Sequence, residues 1–198
     1  MRVLTLFAGL AGMMMLASSS VAAAERPQSS VADLVARGRE ALAARKPDEA
    51  ISAFDAAVAL DPANAVAFQY RASARMQKQD GDGALADVEK AISIDPGYSM
   101  AYRTRGAILS ARNDNARAIG DFNRAIELDP NDAFAYFTRG LFRARERNYT
   151  GAIEDFGRTI AINPKYAEAY IQRGQLYQRD QKADLAFADY DSAVKADP

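Results

Sequence analysis

From Val31 onward, apolar and polar residues alternate with the period of an α-helix, and the same arrangement returns at a fixed interval. Pro62, Pro96, Pro130, Pro164 and Pro198 stand 34 residues apart, preceded by Asp61, Asp95, Asp129, Asn163 and Asp197. Each interval holds two helical segments, A and B, of about 13 residues. A polar break such as Arg45–Asp48, Gln79–Gly83 or Asn113–Asn115 divides them. A strict period of this size marks an array whose units bury their apolar faces on one another. The predicted repeats are 31–64, 65–98, 99–132, 133–166 and 167–198, preceded by a polar leader over 25–30. Ser30 and Asp33 have capping-box spacing and predict the first helix start. Asp48, Asp80, Asp114 and Asn148 are the expected N-caps of the B helices. Each B helix should end before its proline, since the residue preceding Pro is driven from the α region.

The columns of the array predict how the helices meet. Gly38, Ala72, Gly106, Gly140 and Gly174 form one column in the A helices, and Ala50, Ala84, Ala118, Ala152 and Ala186 form one in the B helices. Glycine inside a helix costs about 1 kcal/mol against alanine, so the expectation is a close approach in which the small columns face each other. Leu34, Phe68, Tyr102, Tyr136 and Tyr170, with Phe54, Val88, Phe122, Phe156 and Tyr190, should fill the core around that contact. Val58, Ile92, Ile126, Ile160 and Val194 should pack on the A helix that follows. Arg37, Arg71, Arg105, Arg139 and Arg173 form a basic column, and Asp87, Asp121, Asp155 and Asp189 an acidic one. They either pair, within a repeat or with the next, or remain separately solvated.

Composition narrows the chemistry. Of 198 residues, 49% are hydrophobic and 26% charged, which suits one domain with a sizeable core. Cysteine and histidine are both absent, which removes thiolate ligands, disulfides and the commonest general base. The net charge is −1 and no run of five like charges occurs, so no nucleic-acid footprint is visible. Asp80-Gly81-Asp82-Gly83 lacks the later carboxylates of a calcium loop, since Ala84 and Ala91 stand there. Asn148-Tyr149-Thr150 is a glycosylation sequon. Glu154 and Asp155 recur in other repeats and read as a helix face, not an acid/base pair. No cofactor, no metal and no intrinsic catalysis are expected.

Residues 1–24 are different in kind. Arg2 precedes an apolar run, Val3–Ala17, and Ala22-Ala23-Ala24 offers a cleavage site, the form of a secretory signal peptide. That run is shorter than the ~20 residues a spanning helix needs. The chain is therefore expected to be exported and periplasmic or secreted, without stable membrane insertion after cleavage.

The repeating unit resembles the tetratricopeptide repeat, whose signature places an aromatic, Gly, Tyr, Ala, aromatic, Ala and Pro across two antiparallel helices. In the last repeat Tyr170, Gly174, Tyr177, Ala186, Tyr190, Ala193 and Pro198 carry the match, with Arg173 where that family often has Leu. The resemblance covers residues 31–198. It implies an all-α, right-handed solenoid of five helix-turn-helix units with the A helices on the concave side, in a non-catalytic protein-interaction scaffold of a bacterial envelope. It also implies that a peptide or assembly partner is met by A-helix positions outside the packing columns: Phe134, Phe137, Leu141 and Arg145, flanked by Met100, Arg103, Ile171 and Gln175. Such a trough suits hydrophobic anchors with some acidic character; alternatively Phe134, Phe137 and Leu141 pack on neighbouring A helices. The carboxylate clamp of some family members is missing, because Val35, Arg39, Gln69, Ser73, Arg103 and Ala107 hold its places. Ala196 stands where earlier repeats have Leu60, Ile94, Leu128 and Ile162, and the last B helix has no following A helix. That end could be tolerated, could support a homo-oligomer through the C-terminal helix, or could be continued by further sequence.

Overall fold

The computed structural model describes residues 29–197, so the signal peptide expected over residues 1–24 lies outside the described residues. Ten helices follow one another: α1 (Val31–Ala43), α2 (Pro47–Leu60), α3 (Ala65–Gln77), α4 (Gly81–Ile94), α5 (Ser99–Ala111), α6 (Asn115–Leu128), α7 (Ala133–Arg145), α8 (Tyr149–Ile162), α9 (Ala167–Arg179) and α10 (Ala183–Ala196). Odd-numbered helices are the A helices and even-numbered ones the B helices. Each A helix packs on its own B helix, and each B helix on the next A helix. α1 also touches α3, and α3 touches α5, whereas among the described residues the B helices make no comparable contact with one another. The A helices therefore line the inner side of an all-α solenoid. No described helix is long and apolar enough to cross a membrane.

The punctuation has local causes. Asp61, Asp95, Asp129 and Asn163 each accept the backbone N–H two residues on, at 2.9 to 3.1 Å, so the residue before every internal proline folds into an Asx turn that stops the B helix. Ser30 and Asp33 form the reciprocal capping box on α1. Asp80, Asp114 and Asn148 cap α4, α6 and α8. Asp48 does not cap α2: Pro47 begins that helix, so Lys46 is its N-cap and Asp48 instead pairs with Lys78. The same break explains the calcium-loop look-alike, since Asp80 caps α4 and Asp82 holds Arg112 at 2.6 Å.

Two residues past the end of every A helix stands a residue in the left-handed region, Arg45, Gln79, Asn113, Arg147 and Gln181, with φ between 55° and 63°. Each is followed by an N–H that reaches back five residues, as from Asn148 to the Arg143 carbonyl at 2.8 Å. None of the five is glycine, so the helix-helix packing holds them there against an intrinsic preference.

The glycine column meets a different surface from the one expected. A Cβ on Gly140 would stand 2.8 Å from Phe156 Cε1, and one on Gly174 would stand 2.8 Å from Tyr190 Cε1. Gly38 faces Phe54 and Gly106 faces Phe122 in the same way. The alanine column contributes backbone: the carbonyls of Ala118 and Ala186 lie 3.3 Å from the positions a Cβ would take on Gly106 and Gly174. The missing side chain thus admits an aromatic ring edge. Where the B-helix residue shrinks to Val88, the A helix carries Ala72, and both are fully buried in one cluster. Size is conserved across the contact.

Beside this contact runs a ladder of charge. Arg71, Arg105, Arg139 and Arg173 each donate twice, through Nε and Nη2, to Asp87, Asp121, Asp155 and Asp189 at 2.6 to 2.9 Å. The carboxylates are buried, and the arginines lie over the aromatic three residues before them, as Arg139 over Tyr136 at 5.4 Å. Hydrogen bonding to the carboxylate outweighs burial and raises the pKa of Arg71, Arg105 and Arg173. Pairing is within the repeat. A branch reaches the preceding B helix at Asp55 for Arg71 and at Asn123 for Arg139. Arg143 gives Asp155 a second cationic partner at 3.0 Å.

Gly140→Ala is expected to destabilise the protein by about 1–3 kcal/mol through overpacking, outweighing its ~1 kcal/mol gain in helix propensity. Adding Phe156→Val, which copies the Ala72 and Val88 pairing, should recover part of the loss in urea denaturation. A double-mutant cycle on Arg139 and Asp155 should give coupling above ~1 kcal/mol, while one on Arg173 and Asp155 should give almost none.

Candidate interaction site on the A-helix face

Two columns on the inner side of the A helices escape the packing just described. One reads Val35, Gln69, Arg103, Phe137 and Ile171, and the other Arg39, Ser73, Ala107, Leu141 and Gln175. Their chemistry changes along the array. Arg39 lies over Tyr70 at 5.3 Å. Gln69 is buried, donates to Thr104 Oγ1 at 2.9 Å and to Ser73 Oγ at 3.2 Å, and receives the Tyr98 hydroxyl at 3.4 Å. This network ties α3 to α5. Burial pushes the Tyr98 phenol up to about 12 and raises that of Tyr166, so both stay neutral donors near pH 7.

Arg103 is the hinge of the site. Its Nη1 reaches both carboxylate oxygens of Asp132 at 3.3 Å, and Asp132 in turn caps α7 by accepting the Ala135 N–H at 3.0 Å. The guanidinium also stands 5.6 Å from the centre of the Phe134 ring. That ring is 41% exposed, in a chain whose other phenylalanines on the A helices are more deeply packed. Together they border a depression of about 340 Å³ lined by Ser73, Met76, Arg103, Thr104, Ala107 and Phe134, which draws on three successive A helices. A second of similar size continues past Met100, Asn131 and Tyr166. Arg103 is shared by both.

The structure brings Met100, Arg103 and Phe134 together. It removes Phe137, which is 9% exposed and packed between the tilted rings of Phe156 at 5.7 Å and Tyr166 at 4.8 Å, so its side chain belongs to the core. Leu141 packs half-buried against the same cluster. The spacing of Phe134, Phe137 and Leu141 gave one stripe, but Tyr166 from the next inter-repeat turn closes over its middle. Arg145 is exposed and lies over Phe142 at 5.8 Å, away from the depression. Ile171 borders a separate depression with Tyr166 and Ala196, and Gln175 is exposed.

Met76 and Thr104 escaped the sequence reading, although Met76 stands on the A-helix stripe of the second repeat and its unbranched side chain suits adaptable contacts. A larger depression of about 560 Å³ also went unread. It lies at the other edge, among Tyr149, Ile153, Leu176, Arg179 and Leu185, with Arg179 over Tyr149 at 4.6 Å.

Because its folded pKa is raised, Tyr98 contributes no pH dependence to stability below about pH 10, and its contribution is lost as pH rises from there toward 12. Spectrophotometric titration of Tyr98→Phe should show the loss of one phenol ionising near pH 12.

The sequence profile of the tetratricopeptide repeat family matches residues 35–99, 103–167 and 144–198. No curated protein matches at the sequence level. Among solved structures, MamA is 25% identical with a TM-score of 0.68, over 80% of this chain and 93% of that one. YrrB, described as a TPR protein with an unusual peptide-binding site, is 22% identical with a TM-score of 0.62, over 85% and 87%. PilF of Pseudomonas aeruginosa is 17% identical with a TM-score of 0.79, over 85% and 77%. With ten helices stacked as a solenoid among the described residues and a profile match over most of its length, the chain belongs to the tetratricopeptide repeat family.

Proposed function

We infer that this protein is a binding scaffold that holds a peptide segment of a partner along its A-helix face, with the depression between Arg103 and Phe134 as the anchor point. The family is generally a non-catalytic interaction module, and the peptide-binding site ascribed to YrrB is consistent with this use of the fold. The observation that carries the reading is the Phe134 ring, exposed beside a guanidinium and over a depression assembled from α3, α5 and α7. An apolar side chain entering there would meet Met76, Ala107 and Phe134. A neighbouring carboxylate would meet Arg103, whose long 3.3 Å contacts to Asp132 leave donors for a second acceptor. The preferred ligand is a segment with a large apolar residue next to Asp or Glu. The signal-like residues 1–24 favour a partner in the cell envelope or outside the cell.

The test uses peptides with Leu or Phe beside Asp, and matched peptides with Lys in place of Asp, titrated calorimetrically. The acidic set should bind more tightly. Ala107→Glu, which fills the depression, and Phe134→Ala should each weaken binding about 10- to 100-fold. Equal affinity of parent and variants for the peptides, with helicity unchanged by circular dichroism, would rule the site out.

A further inference from the structure

The four junctions inside the array show what covers the outer face of a B helix. Each incoming A helix presents two residues seven apart: Ala67 and Ala74, Ala101 and Ile108, Ala135 and Phe142, Ala169 and Leu176, packed in the core clusters of the preceding B helix. In α1 the same positions are Asp33 and Glu40, and both are exposed. The array is thus closed to a preceding B helix at its first helix. α10 carries no such change. Phe187 occupies the column of Ile51, Leu85, Ile119 and Ile153, and Val194 that of Val58, Ile92, Ile126 and Ile160, all half-buried in the inner repeats. On α10 they are 75% and 68% exposed.

A second copy could cover this face in two ways. Head to tail, its α1 would set Asp33 and Glu40 against Phe187 and Val194, burying two carboxylates on an apolar stripe. That arrangement is unfavourable. The geometry points to a tail-to-tail dimer in which α10 packs antiparallel on α10 of a second copy about a two-fold axis. Phe187 and Val194 lie symmetrically about a point between Tyr190 and Asp191, so the two-fold sets each Phe187 over the other copy's Val194. Asp184 and Lys195 share one edge of the stripe and are centred within a residue of that point. Each Lys195 therefore comes within reach of Asp184 on the other copy, while its present partner, Asp191 at 2.6 Å, is exposed and exchangeable. Apolar and charged positions satisfy one operator. A two-fold contact of this kind closes on itself and does not propagate into filaments. It leaves the A-helix face free and is independent of what binds there.

Sedimentation equilibrium of the purified protein, over about a hundredfold range of concentration, tests it. A monomer-dimer equilibrium is expected, weakened at least about 30-fold by Phe187→Glu. Lys195→Asp should weaken it, and adding Asp184→Lys should restore it, because only the two-fold arrangement pairs those positions. Asp33→Ala with Glu40→Ala should leave it unchanged. A monomer throughout, oligomers that grow beyond two, or undiminished association of the Phe187→Glu variant would overturn the proposal. Exposure of Phe187 and Lys195 keeps these variants folded, which circular dichroism verifies.

Discussion

The structure depends on how closely an A helix can approach its own B helix. At Gly38, Gly106, Gly140 and Gly174 the absence of a Cβ admits an aromatic ring from the facing helix, and the next residue back is the arginine of the charge ladder. Arg139 and Gly140 meet Asp155 and Phe156, so a polar fork and an apolar plug are set by the same approach. The arrangement is strained in one respect, since the turn that permits it holds Arg147 and its counterparts at positive φ. Buried ion pairs are weak evidence for stability because desolvation offsets attraction. A fork that fits only when the helices are in register instead favours specificity, which a repetitive sequence with many near-equivalent packings requires.

Once the helix pairs are fixed, the inner face follows. The ladder and the aromatic plugs use the A-helix positions that face α2, α4, α6, α8 and α10, leaving the columns of Gln69 and Ser73 to face inward. Differences among repeats at those two columns then decide the surface. Gln69 and Thr104 build a satisfied polar network, Phe137 is drawn into the core, and Arg103 with Phe134 falls at the transition between them. The exposed ring lies where a polar stretch gives way to an apolar one.

The period made most of this fold legible. Prolines, glycines and alanines in register specify helix pairs, because each unit must bury the same face. The partner opposite each glycine was not legible: spacing shows which residues share a column but not which column lies across the gap, and the ring of Phe156 proved to be there instead of Ala152. Asp48 misled because it stands two places past the N-cap column of Asp80, Asp114 and Asn148, where this repeat has Lys46 and starts its helix with Pro47. The residues around the candidate depression were legible only in part. Phe134 and Arg103 were visible as departures within their columns, but the burial of Phe137 depends on Tyr166, which lies 29 residues on in the next inter-repeat turn, and Met76 and Thr104 enter only when three helices are set side by side.

The most direct test of the account is where a bound segment lies. Backbone amide chemical shifts of the labelled protein, recorded as an acidic-apolar peptide is added, report this residue by residue. Perturbations gathered at Ser73, Met76, Arg103, Thr104, Ala107 and Phe134 are the predicted result. Perturbations gathered instead around Tyr149, Leu176 and Leu185, with the A-helix face unmoved, would contradict it.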